Sequence, residues 1–114
     1  MIAVLESHGA RRIADVRCDT GILANRIQRE LHPDEAYGLD VSEGMIDEAR
    51  QRFSLVQWCI SPAEQLPFTD GTLNGVVTTS AFQFFNQAAA LQEFYRVVAP
   101  QGLAIVAVVS PSAL

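Results

Sequence analysis

The chain has 114 residues, of which 49 % are hydrophobic and 18 % charged. That size holds a single core, and the composition excludes general disorder. Thirteen acidic and eight basic residues give a formal net charge of −5, which argues against nucleic-acid binding through a basic surface.

Met1 to Arg12 has no basic start and only a short apolar stretch, so it does not read as a secretory leader. Ile13 to Val16 reads as a short buried strand ending at a polar turn. Leu23, Ile27 and Leu31 recur every fourth residue and predict a helix, with Asp19 or Thr20 as its cap and His32-Pro33-Asp34 as its end. Ala36 to Asp40 is a second strand. Ser42 caps a second helix that buries Met45, Ile46, Ala49 and Phe53. Leu55 to Ile60 is a third strand, and a loop carrying Pro62 and Pro67 follows. Gly75 to Thr79 is a fourth strand. Asn86 caps a third helix carrying Leu91, Phe94 and Val98, which Pro100-Gln101-Gly102 breaks. Leu103 to Val109 is a fifth strand; this longest apolar run is far short of the ~20 residues a membrane helix needs.

Continuous apolar strands alternating with helices predict a doubly wound parallel α/β sheet of about five strands. Ligands of such sheets bind beyond the carboxyl ends of the strands, where the strand order reverses. Two features fall there. Asp15 to Gly21, DVRCDTG, joins the first strand to its helix. Asp40 ends the second strand roughly 20 residues beyond Gly21, the spacing of a carboxylate that accepts both hydroxyls of a ribose. Asp40 as a simple helix cap is the alternative.

The whole stretch from Ile13 to Val109 resembles class I S-adenosylmethionine-dependent methyltransferases of the type 11 group, which includes the ubiquinone/menaquinone methyltransferases. DVRCDTG matches the family's DxGxGTG in part. GLDVSEGMIDEAR, Gly38 to Arg50, matches the strand with the ribose Asp and the helix after it. PAEQLPFTDGTLNGVV, Pro62 to Val77, matches DAExLPFxDxSFDxVV, and AFQFFNQAAALQEFYRVVAPQG, Ala81 to Gly102, matches the segment ending RVLxPGG. The resemblance implies a Rossmann-like domain and S-adenosyl-L-methionine as cofactor. It implies that Asp15, Arg17, Asp19 and Gly21 line the methionine end, that Asp40 holds the ribose, and that Val41 and Met45 flank the adenine. It places the Ala63 N–H on the adenine with Glu64 and Leu66 beside it, and Thr79 to Phe82 towards the methyl group. No catalytic base and no metal ligand is implied.

The sequence departs from the family at the site itself. Arg17, Asp19 and Gln101 stand where the family has glycine, Pro62 where it has the adenine-binding Asp, and Asn74 where it has another Asp. Weak cofactor binding is the expectation, because glycine lets backbone approach a ligand in conformations other residues resist. The chain ends at Leu114 without the family's C-terminal antiparallel hairpin, so residues 1–114 read as one truncated methyltransferase-like domain. An apolar fifth strand is a poor bare edge, and a homodimer or a partner over it is expected.

Among other residues, His8 and His32 read as solvated, and Cys59 as packing. Cys18 reads as packed or, with a lowered pKa at the helix start, reactive. Cys18 and Cys59 form no CxxC, which fits a reduced, cytoplasmic protein. Trp58, Phe82, Phe84 and Phe85 either line a hydrophobic substrate pocket or belong to the core. The functional expectation is a methyltransferase acting on a small molecule, with neither nucleic acid nor membrane as partner. The alternatives are a non-catalytic methyltransferase-like partner or regulatory protein, and a dinucleotide-binding domain.

Overall fold

Ala14, Leu39, Val76 and Val77 are completely enclosed, because the strands that carry them are covered on both faces. The computed structural model describes residues 1–108. Its elements are α1 (Ile2–Ser7), β1 (Arg12–Val16), α2 (Ile22–Leu31), β2 (Glu35–Asp40), α3 (Glu43–Arg52), β3 (Gln57–Ile60), β4 (Leu73–Thr79), a single 3-10 turn (Phe82–Phe84), α4 (Gln87–Val97) and β5 (Val98–Ala107). The five strands form one parallel sheet in the order β3-β2-β1-β4-β5, which is the doubly wound architecture predicted. No helix of the described residues is long and apolar enough to cross a membrane.

Alternate residues of each strand serve opposite layers. Ile13 and Val77 join Leu5 of α1 and Ile27 of α2 on one face. Ala14, Val16, Leu39 and Val76 join Phe94 and Val97 of α4, together with Ala63 and Leu66 from the loop before β4, on the other. The strand order reverses at β1, whose Asp15 lies opposite Gly38 of β2 and Val77 of β4. The crevice expected for a ligand therefore opens above Asp15.

Several boundaries differ from the sequence expectation, each for a visible reason. Residues 2–7 form a helix that the sequence did not announce. Its Leu5 fills the space over Gly75, where an added Cβ would stand 2.8 Å from Leu5 Cδ2. Neither Asp19 nor Thr20 caps α2; the cap is Gly21 at φ 91, with no side-chain hydrogen bond. Ser42 and Asn86 do cap α3 and α4, accepting from the N–H of Met45 and Ala89. Ile46 and Ala49 are buried as expected, but Met45 is 38 % exposed because it faces the crevice. Leu91 is likewise exposed. β3 starts at Gln57, because Leu55 is turned to solvent.

α4 stops at Val97, and Val98 already pairs with Leu73. Pro100-Gln101-Gly102 is not a break before a strand but a bulge within one: the register slips between Leu73 and Gly75, with Gln101 at φ 68. The expected end of the fifth strand at Val109 lies outside the described residues. Asn74 ties the start of β1 to β4, since its Oδ1 accepts from the N–H groups of Arg11 and Arg12 at 3.1 and 2.8 Å. An Asn supplies that acceptor as well as an Asp.

Candidate functional site

The turn after β1 is built from alternating left-handed residues: Arg17 at φ 65, Asp19 at φ 59 and Gly21 at φ 91. The turn takes a glycine-like backbone even though two of its three left-handed residues carry side chains. Only Gly21 is sterically obliged to be glycine, because a Cβ there would meet Trp58 Cη2 at 2.4 Å. The Cys18 N–H donates to Leu39 O at 2.8 Å and the Gly21 N–H to Cys18 O at 3.0 Å. These bonds lash the turn to the end of β2.

That arrangement aims two backbone donors at one carboxylate. Asp40 is 3 % exposed. Its Oδ2 accepts from the Asp19 N–H and its Oδ1 from the Ser42 N–H, both at 2.9 Å. A carboxylate oxygen accepts more than one hydrogen bond, so each can still take a hydroxyl from the crevice that Asp40 lines. The helix-cap alternative for Asp40 does not hold, since the cap of α3 is Ser42.

The crevice has a volume of about 540 Å³ at the carboxyl ends of β1, β2 and β4. Asp15, Arg17, Asp19, Asp40, Val41, Met45 and Thr79 all line it, as do Ser80 and Ala81. A cavity of about 100 Å³ adjoins it, lined by Arg17, Asp40, Val41, Ser61, Ala63, Glu64, Phe84 and Phe85. Gly21 is buried at the base of the turn. Leu66 lies in the core and lines neither cavity.

Asp15 is 2 % exposed, and its Oδ1 has no hydrogen-bond partner. Burial, and then the neighbouring Asp40 and Asp19, push its carboxyl up to about 8. It is a largely neutral acid at pH 7. Cys18 is also buried, and its thiol is pushed up by burial and by Asp15 and Asp40. That favours packing over a reactive thiolate for Cys18.

The aromatic residues separate. The Trp58 indole lies against Gly38 and Gly21 and donates to Phe53 O at 2.8 Å. Phe82 and Phe85 meet edge to face at 6.1 Å against the core on the α4 side. Phe84 is 69 % exposed, with the Arg17 guanidinium 5.5 Å from its ring centroid. Trp58 therefore lines no pocket with the three Phe residues.

Glu64 turns partly away from the ligand space, its Oε2 accepting from the Asn86 N–H at 2.8 Å. It fixes the segment between the 3-10 turn and α4. A second clamp went unnoticed in the sequence. Arg96 donates to Leu66 O at 3.0 Å and Phe68 O at 2.7 Å, while Glu93 accepts from the Leu66 N–H at 2.7 Å and from Arg96. The pair holds the loop that supplies Ala63. Its signal was the Glu-x-x-Arg of QEFYRVV, a spacing that puts both side chains on one side of a helix.

A family profile described as a methyltransferase domain matches residues 13–102. Among curated proteins, the ubiquinone/menaquinone biosynthesis C-methyltransferase of Desulfotalea psychrophila is 29 % identical over 99 % of this chain and 47 % of its own length. The demethylmenaquinone methyltransferase of Symbiobacterium thermophilum is 36 % identical over 79 % of this chain and 39 % of its own length. The chain thus spans about half, or less, of these relatives. The YcgJ protein of Bacillus subtilis superposes with a TM-score of 0.80 at 23 % identity, over 93 % of this chain and 47 % of that one, a likeness of fold.

Proposed function

The chain belongs to the methyltransferase domain family, the class I S-adenosylmethionine-dependent enzymes, and from that premise we propose that its crevice binds S-adenosyl-L-methionine for methyl transfer to a small molecule. The observation that carries this reading is Asp40. A buried carboxylate with one backbone N–H on each oxygen is rigidly presented, and its remaining lone pairs match a vicinal diol.

The residues present fit the rest of such a ligand. The unpartnered Asp15 Oδ1 offers an acceptor to an ammonium group. Val41 and Met45, exposed towards the crevice, offer an apolar shelf to a flat base. Ala63 leaves room for close approach in the smaller cavity. The cofactor, when bound, supplies a methyl group on a sulfonium. The protein's own part is proximity and orientation: Asp40 fixes the ribose end, and Thr79, Ser80 and Ala81 bound the end where an acceptor enters. Among the residues lining the crevice there is no histidine, and none of them is assigned as a base for an acceptor that must lose a proton.

A second reading, a non-catalytic methyltransferase-like partner, is favoured by the Arg17 side chain standing in the crevice where the family has none. The proposal extends to a single methyltransferase-like domain working in the cytoplasm. It also includes a second copy or a partner along β5, an edge strand with Ala104 and Val106 exposed. The test is thermal melting with and without S-adenosylhomocysteine, since a ligand of the native state alone raises the melting temperature. A rise that disappears in Asp40→Asn supports the reading. An unchanged melting temperature at millimolar ligand contradicts it.

A further inference from the structure

We propose that Arg17 is the specificity-determining residue of this crevice and selects a ligand that carries a carboxylate. The inference rests on reading the crevice as an adenosyl-cofactor site. It goes beyond that reading by giving a recognition role to a residue at which this chain departs from its family.

Arg17 directly follows β1 and keeps a left-handed backbone at φ 65, a conformation that a side chain makes unfavourable. Its side chain spans the reversal point of the sheet, from the end of β1 to Phe84 in the turn after β4, and it lines both cavities. The acidic side chains there are Asp15, Asp19 and Asp40, with Glu64 at the smaller cavity. Among the described residues, Arg17 is the one cation lining either cavity.

It is nevertheless bonded to none of them. Among the described residues, no ion pair involves Arg17. Asp40 instead accepts from the two backbone N–H groups, and Glu64 from Asn86. Contact with the Phe84 ring stabilises the cation without using an N–H donor. The exposed guanidinium of Arg17 therefore offers a planar fork of donors that no protein acceptor takes up among the described residues, and its natural complement is a carboxylate bound through both oxygens. A single positive charge among acidic neighbours suits a monoanion. A dianionic phosphate would meet the repulsion of Asp19 and Asp40 with no second cation to offset it.

The carboxylate can come from the amino-acid end of the cofactor or from the methyl acceptor, and the experiment separates the two. Binding of S-adenosylhomocysteine, its decarboxylated analogue and 5′-methylthioadenosine is measured by calorimetry on the full chain, on Arg17→Gln and on Arg17→Lys. Hexanoate is then titrated with and without saturating S-adenosylhomocysteine, with hexanol as the uncharged control. If the cofactor supplies the group, Arg17→Gln weakens S-adenosylhomocysteine by about tenfold or more and leaves the decarboxylated analogue and methylthioadenosine unchanged. Arg17→Lys recovers part of the loss. If the acceptor supplies it, all three adenosyl ligands bind both proteins alike, while hexanoate binds the wild type and not Arg17→Gln. If no adenosyl ligand binds any form, the cofactor reading falls, and hexanoate alone decides for or against Arg17. Equal binding of every carboxylate to wild type and Arg17→Gln overturns the proposal.

Discussion

Asp15→Asn should remove most of the pH dependence of folding between pH 5 and pH 8. Asp15 is buried in β1 with one oxygen unpartnered, and its carboxyl is raised from 3.8 to about 8. The unfolded chain releases this proton near pH 4 and the native protein holds it to about pH 8. The native state therefore binds more protons throughout that window, and stability must fall as pH rises through it. The contribution is fully present below the unfolded value and exhausted above the folded one. Each unit is worth about 1.4 kcal/mol, so crossing from pH 5 to pH 8 costs the wild type about 4 kcal/mol from this group. With a slope of about 1–3 kcal/mol per M, the urea midpoint should drop by roughly 1–4 M. Asn has the same shape and no charge to lose, and every other titrating group is common to both proteins. Urea titrations of both at pH 5 and pH 8 isolate the Asp15 contribution. Parallel losses in the two proteins would show that Asp15 ionises normally and that its burial has been misjudged.

Gln101→Gly should stabilise the fold by about 1 kcal/mol, because it relieves a left-handed side chain at φ 68; an unchanged or lower midpoint in thermal melting counts against the bulge described in β5. Asp19→Gly should also stabilise and should lower the Asp15 pKa, since the Asp19 N–H that holds Asp40 is retained while a neighbouring charge is lost; the Asp15 carboxyl followed by carbon-detected NMR checks this. Arg96→Ala should lower the urea midpoint, as it leaves the Leu66 and Phe68 carbonyls without their side-chain donor and Glu93 without its cation. Arg96→Lys, which lacks the fork, should recover only part of that in urea titration. Gly38→Ala should destabilise by about 1–3 kcal/mol, because the new methyl group would sit 2.3 Å from Trp58 Cζ3, and Trp58→Leu in the same chain should restore much of the loss.

The sheet was legible because its strands are buried on both faces and so read as unbroken apolar runs: IADV, GVVTT and LAIVA in sequence become β1, β4 and the latter part of β5. What periodicity could not show was the company each element keeps. Nothing local marks residues 2–7 as a helix; Leu5 is fixed by the gap over Gly75 on a strand seventy residues away in sequence. Proline and glycine at 100 and 102 signal a turn locally, yet pairing with β4 draws them into a bulged strand. At the site, Asp40 was legible from its spacing. Its two N–H donors were not, because one comes from a turn whose residues look unsuited to left-handed backbone. The same blindness applied to Glu93 and Arg96, whose partners lie in a loop that sequence spacing does not bring near. Asn74 looked like a departure from the family pattern, but the acceptor that matters there is a carbonyl oxygen, which Asn retains.

The proposed function stands on Asp40 holding a ribose in the crevice above β1, β2 and β4. Calorimetric titration of S-adenosylhomocysteine into the wild type and Asp40→Asn tests it most directly. With Asp19 and Pro62 in place of the family's residues, the wild type should bind in the high micromolar range, ~100 μM or weaker, equivalent to about −5 kcal/mol. Asp40→Asn should lower that affinity about tenfold or more, the cost of losing charged hydrogen bonds to the ligand. Equal affinity of the two proteins, or no binding by the wild type at millimolar ligand, would contradict the account.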